Sequence, residues 1–150
     1  MLLQIHSVKI FELDYTDLSD RQTNIQLKEI TDKSEIQKCI DLFNSEIEWD
    51  KMFNVEDALN RIKRGERMFG GYKKDELFCY CWIKENNKDD YYLYNVFSKK
   101  PTSLRKLGVI DLLYLVIKTY TSGKIRVEID EWNTQSQKVA KALGFSVIHN

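Results

Sequence analysis

Residues 104–145 read LRKLGVIDLLYLVIKTYTSGKIRVEIDEWNTQSQKVAKALGF, and the periodicity of this stretch decides the fold. Leu104, Leu107, Ile110, Leu113, Tyr114 and Ile117 recur at three- and four-residue steps, the spacing of one helix face. Leu112, Leu115 and Val116 cover the adjoining face, so the helix is expected to be largely buried. Residues 112–117 alone would pass for a strand, but the pattern extends back to Leu104 and favours helix. Gly123 ends it. Ile125, Val127 and Ile129 then alternate with charged residues as a half-buried strand. Thr134 with Gln137 forms a capping-box pattern that opens a further helix to Leu143, which Gly144 stops.

Upstream, Ile36, Cys39, Ile40, Phe43 and Ile47 predict a helix over 33–48, with Asp32 and Glu35 as its capping box. A short strand over 25–30 precedes it, with Ile25 and Leu27 on one face. Val55, Ala58, Leu59 and Ile62 make the stripe of a second helix that starts near Asn54 and stops at Gly65. Residues 68–72, 77–84 and 91–98 are rich in aromatic residues and read as an antiparallel meander with charged turns at 73–75 and 85–90. The order is β-α-α-β-β-β-α-β-α-β, preceded by an N-terminal segment, with no internal repeat.

The 150 residues, 43% of them hydrophobic, suit one globular domain with a single core. Lys plus Arg equals Asp plus Glu at 23 each, which argues against a dedicated duplex-binding protein. No stretch approaches the roughly 18 apolar residues of a membrane span, and no secretory leader is evident. Cys39, Cys79 and Cys81 lack metal-ligand spacing and read as reduced core thiols of a cytoplasmic protein; no metal is expected.

Two motifs resemble those of the GNAT superfamily, whose members move an acyl group from coenzyme A to an amine. Arg105-Lys106-Leu107-Gly108-Val109-Ile110 is similar to the family's pyrophosphate loop, an Arg or Gln followed at +3 by Gly and at +5 by Gly or Ala. Asn133-Thr134-Gln135-Ser136, ending in Ala142-Leu143-Gly144-Phe145, resembles the motif in which an Asn opens the last helix and Leu-Gly-Phe closes it. The resemblance covers about 25–148. It implies an α/β (α+β) fold with a GNAT-like mixed central sheet, about four flanking helices and an extra N-terminal strand segment. It also implies acetyl-CoA, or another acyl-CoA, as cofactor. A helix N-terminus presents free N–H groups and partial positive charge to a pyrophosphate. Gly108 would allow close backbone approach, and Lys99, Lys100, Arg105 and Lys106 add four positive charges within eight residues. The alternative is a solvated basic loop, with Gly108 present for close packing.

The chain departs from the family in several places. Ile110 stands where a second small residue is usual and crowds the phosphate approach. The interval from Val96 to Gly108 is about four residues longer than the family leads one to expect. Ala140 occupies the position at which the family often has a Tyr that protonates the leaving thiolate. The usual closing hairpin is expected to be missing. Leu3, Ile5, Val8, Ile10, Leu13 and Tyr15 are apolar enough for a strand that covers the exposed sheet edge in its place. Strand exchange in a homodimer is the other solution. Residues 1–24 are accordingly an N-terminal extension, completing the sheet or forming an interface, and 25–150 the acyltransferase domain.

The resemblance implies that backbone N–H groups around Val96, Phe97 and Ser98 hold the acyl oxygen, and that Asn133 lies against the cofactor. Counting back from Val96, the family's frequent Glu base corresponds to Asp90. Alternation puts Asp90, Tyr92, Tyr94 and Val96 on one face, with Tyr94 as a candidate acid. The plain reading makes Asp90 the end of a polar turn and the tyrosines core aromatics. Acceptor choice in the family rests largely on the loop between the first two helices, here 46–53. Glu48 and Trp49 there suit a cationic amine on a small molecule or protein; a solvated helix end with a hydrophobic anchor is the alternative. A nucleic acid acceptor has only the basic loop behind it. Two functions follow: an acyl-CoA-dependent N-acyltransferase, or a GNAT-fold binding or structural protein without turnover, such as a phage-encoded component.

Overall fold

The computed structural model describes residues 7–46, 54–99, 103–120 and 122–149. Seven strands form one mixed sheet: β1 (Val8–Asp14), β2 (Gln26–Ile30), β3 (Arg67–Lys73), β4 (Glu76–Asn87), β5 (Asp90–Ser98), β6 (Lys124–Asp130) and β7 (Ser146–His149). Their order is β2-β3-β4-β5-β6-β1-β7. Among the described residues four α-helices flank them: α1 (Lys33–Glu46), α2 (Val55–Lys63), α3 (Ser103–Lys118) and α4 (Thr134–Leu143).

The helices start where side-chain oxygens satisfy their free N–H groups. Asp32 accepts from Glu35 N at 2.8 Å, and Asn54 from Asp57 N at 2.8 Å. In α4 the cap is Asn133, which accepts from Ser136 N at 3.1 Å. That corrects the expected Thr134–Gln137 box by one residue. Gln137 instead donates to the carbonyls of Asp130 and Glu131 at 3.3 and 2.9 Å. Gly144 closes α4 at φ +110°, a conformation that costs most side chains dearly, and a Cβ there would meet the Asp17 carbonyl at 2.5 Å.

Two hydrophobic layers result. Ile36, Cys39 and Leu42 of α1 and Ala58 of α2 pack with Met68, Tyr80 and Trp82 on one sheet face. On the other, Leu112, Val116 and Ile117 of α3 and Val139 and Leu143 of α4 pack with Phe69, Cys81, Leu93 and Ile125. All three cysteines are buried and free.

The edge beyond β6 is filled from the other end of the chain. β1 runs antiparallel to β6 from Val8↔Asp130 to Asp14↔Lys124, and β7 pairs with its far side. Phe11 and Leu13 are buried in the main core as a result. The chain then crosses α3 to reach β2 at the opposite edge. Asp111 of α3 fastens this crossing: Arg21 Nε lies 3.0 Å from its Oδ1, and Asn24 N donates to Oδ2 at 2.9 Å. The Tyr114 hydroxyl donates to Asp20 at 2.8 Å, and Ser19 N to the Leu143 carbonyl at 2.9 Å.

Candidate acyl-transfer site

β5 and β6 are parallel, yet they pair only from Asp90↔Lys124 to Tyr92↔Arg126. Beyond that point a bulge bends β5 away. Trp82 of β4 faces Tyr94 but Tyr80 faces Phe97, so two residues of β5 stand opposite one of β4. Asn95 takes up the extra length at φ +50°, a left-handed conformation that Asn tolerates better than most residues. The bulge also corrects the expected alternation. Phe97, not Val96, follows Tyr94 on its face, packing on Tyr80 with ring centroids 5.6 Å apart.

Where the strands part there is a cavity of about 260 Å³. Leu93, Tyr94, Asn95 and Val96 line one side, and Val127, Glu128, Ile129 and Asp130 the other. Val109 and Leu113 of α3 close it, with Ser136, Val139, Ala140 and Leu143 of α4 opposite. The facing edges of β5 and β6 have no ladder partner in one another here, so the cavity combines main-chain polar groups with apolar side chains.

The expected site residues divide in this frame. Tyr94, Val96, Val109 and Asn133 line the cavity. The Asn133 side-chain oxygen is already engaged by the α4 cap. Phe97 turns to the α1 side, at 5.0 Å from Phe43, and Ser98 Oγ donates to the Lys99 carbonyl at 3.0 Å. Asp90 starts β5 opposite Lys124, roughly 10 Å along the strand from Leu93 at 3.3 Å per residue; it is not brought to the cavity. Glu48, Trp49 and Lys100 lie outside the described residues, as do the side chains of Arg105, Lys106 and Leu107.

α3 already begins at Ser103. Gly108, Val109 and Ile110 are therefore inside it, and their N–H groups bond to carbonyls four residues back. Gly108 is buried against β4, where a Cβ would come within 2.1 Å of the Phe78 ring. Close packing explains this glycine. Of the four cations, Lys99 is held by Glu76 at 2.7 Å.

Tyr94 stacks on Trp82 at 6.3 Å and on Tyr92 at 5.7 Å. Its hydroxyl donates to Glu66. Burial, then that hydrogen bond and charge, push it well above the ordinary tyrosine range. Tyr92 is also raised, by burial and by the charge and hydrogen bond of Glu128. Two features were missed by sequence reading: the Asn95 bulge, and Glu128 at the cavity mouth. The signal for the first was an Asn inside an aromatic strand. For the second it was the charged, outward phase of β6.

Neither a protein-family model nor a curated protein matches the chain. Solved structures do. A GNAT-family acetyltransferase from Colwellia psychrerythraea superposes with a TM-score of 0.73 at 14% identity, over 97% of this chain and 54% of its own. The chain has the GNAT fold. A putative GNAT acetyltransferase from Novosphingobium aromaticivorans gives 0.66 at 9%, over 95% of this chain and 61% of its own. The chain thus spans little more than half of either. An aminoglycoside acetyltransferase from an uncultured soil metagenomic sample, solved with sisomicin, gives 0.64 at 12%, over 79% and 86%. The first two superpositions cover nearly the whole chain, so the likeness in fold is not confined to one part of it.

Proposed function

We propose that the protein is an acyl-CoA-dependent N-acyltransferase that works at the opening between β5 and β6. The observation that carries this reading is the Asn95 bulge, which opens the sheet at one point and leaves strand edges facing a cavity. A pantetheine arm has amides that need main-chain partners and methylenes that need apolar walls, and the lining offers both. Arg105 and Lys106, early in α3, are the candidates for the phosphates. Bound there, an acyl-CoA supplies the acyl group as a thioester.

The chain's own residues then have definite tasks. Val96, just after the bulge, is the candidate donor to the acyl oxygen. Glu128 stands at the mouth, hydrogen-bonded by Tyr92, and is the better base than Asp90 because it reaches the cavity. The amine gives its proton to Glu128 as the C–N bond forms and the C–S bond breaks. Tyr94 would keep its own proton, donating it to Glu66, so the departing thiolate would be protonated by exchange with solvent at the open mouth, to which Glu128 returns the proton taken from the amine. The acceptor is an amine; Glu48 and Trp49 remain the candidates to bind it. A thiol-release assay with acetyl-CoA and a panel of amines tests this: Glu128→Gln should lower turnover about 10²- to 10⁴-fold and Asp90→Asn only slightly. The reverse ranking would return the role to Asp90. One observation favours a second reading, a GNAT-fold binding protein without turnover: the cavity wall at Ala140 carries no hydroxyl. Binding of acyl-CoA without thiol release for any amine would support it.

A further inference from the structure

The cavity has two ends of different chemistry. Asn95, Glu128, Asp130, Asn133 and Ser136, none of them buried, mark its mouth. Leu93, Leu113, Ala140, Leu143 and Phe145 form its floor, and each is buried. Ser136, Val139, Ala140 and Leu143 follow one another at the helical spacing of a single face, so α4 presents a stripe that is small at 136 and 140. On α3, Val109 and Leu113 lie one turn apart and form the opposite wall. The floor carries no polar side chain. An amide pushed to that depth would leave the strand edges and lose its hydrogen bonds, at a cost that a hydrocarbon does not incur.

We infer that the buried floor is an acyl-chain pocket, and that the preferred donor carries a longer, saturated acyl group rather than acetyl. This rests on the acyl-CoA reading given above. The seven steps from Ser136 to Leu143 give a depth of about 10 Å at 1.5 Å per residue, enough for an unbranched chain of about six carbons. Ala140 is the residue that sets this depth. At 4% exposure it is part of the packed wall, and any larger side chain there would fill the slot. Each methylene buried in the floor adds about fourfold in affinity, which the apolar lining supplies without new polar contacts.

Calorimetric titration with acetyl-, butyryl- and hexanoyl-CoA tests this. Affinity should rise along the series, with hexanoyl-CoA at least tenfold tighter than acetyl-CoA. Ala140→Leu should reduce the hexanoyl-to-acetyl affinity ratio at least tenfold. Ser136→Leu, one turn closer to the mouth and cheaper to accommodate, should reduce it in the same direction if Ala140→Leu fails to fold. Equal affinities, or acetyl-CoA tightest, would overturn the acyl pocket and leave the acyl-CoA reading standing. A ratio untouched by either variant would overturn the role of α4. No binding of any thioester at millimolar concentration would overturn the acyl-CoA reading itself.

Discussion

Gly108→Ala separates the two reasons for a glycine in α3. In a helix interior the change should stabilise by about 1 kcal/mol, since Ala has the higher propensity. At this position the new Cβ would lie 2.1 Å from Phe78 Cε2, 2.8 Å from Cζ and 3.2 Å from Cδ2. Carbon atoms in contact settle near 3.5–4.0 Å, so the ring must retreat by more than an ångström. Phe78 is itself only 7% exposed, within the main core. Overpacking of this kind typically costs 1–3 kcal/mol, which outweighs the propensity gain. The net expectation is a loss of up to about 2 kcal/mol. At 2–4 °C per kcal/mol for a chain of this size, Tm falls by up to roughly 8 °C. Urea unfolding followed by circular dichroism measures it. Phe78→Leu in the Gly108→Ala background should recover part of the loss, giving a coupling of about 0.5 kcal/mol or more. Stabilisation by Gly108→Ala, or strict additivity with Phe78→Leu, would refute the packing account. Unchanged stability with lost acetyl-CoA affinity would return the glycine to the phosphates.

Three further outcomes are expected. Asp111→Ala strands Arg21 and the Asn24 N–H beneath the β1–β2 crossing. It should cost about 2–4 kcal/mol in urea unfolding, the lower part of that range if water reaches Arg21, whereas Asp111→Leu with Arg21→Met should cost less than Asp111→Ala alone. High pH should unfold the protein. Burial raises the Cys39 thiol from 9.0 to about 12, so the stability it contributes is complete below pH 9 and disappears as pH rises towards 12. Tyr72, Tyr80 and Tyr94, also raised chiefly by burial, act in the same sense from pH 10 upward. A fluorescence titration from pH 8 to 12 that stayed flat would contradict this. The same burial should keep all three thiols from a disulfide reagent at pH 8 until urea is added, and rapid reaction of the native protein would place a cysteine at the surface.

Element identity was legible wherever one face of an element is buried against a single partner. α1, α2 and α4 fell where their stripes and terminal signals put them, because those signals are local. α3 was recognisable as a buried helix but not as an anchor. Nothing in the periodicity says that Asp111 would receive Arg21 from a segment 90 positions earlier. Asn133 as the true cap of α4 was one residue from the expected Thr134, since both can accept from the first turn. The site was harder to read. Strict alternation along β5 fails at Asn95, where the left-handed residue inserts an extra position, and every face assignment beyond it moves. Counting back from Val96 leads to Asp90, which starts β5 opposite Lys124. Glu128 looked like one more outward charge on β6; only the parting of β5 and β6 turns that outward face into a cavity wall. The N-terminal strand was readable as apolar and extended. Its place between β6 and β7 depends on pairings across the whole chain, which no local pattern encodes.

The most direct test of the central claim is to locate acetyl-CoA on the protein. At 17.8 kDa the chain suits amide-resolved NMR titration. The account predicts saturable shifts concentrated at residues 93–96, 127–130 and 133–140, with little change along β2 and β3. No shift at millimolar acetyl-CoA, or shifts confined to surfaces away from the opening between β5 and β6, would contradict it.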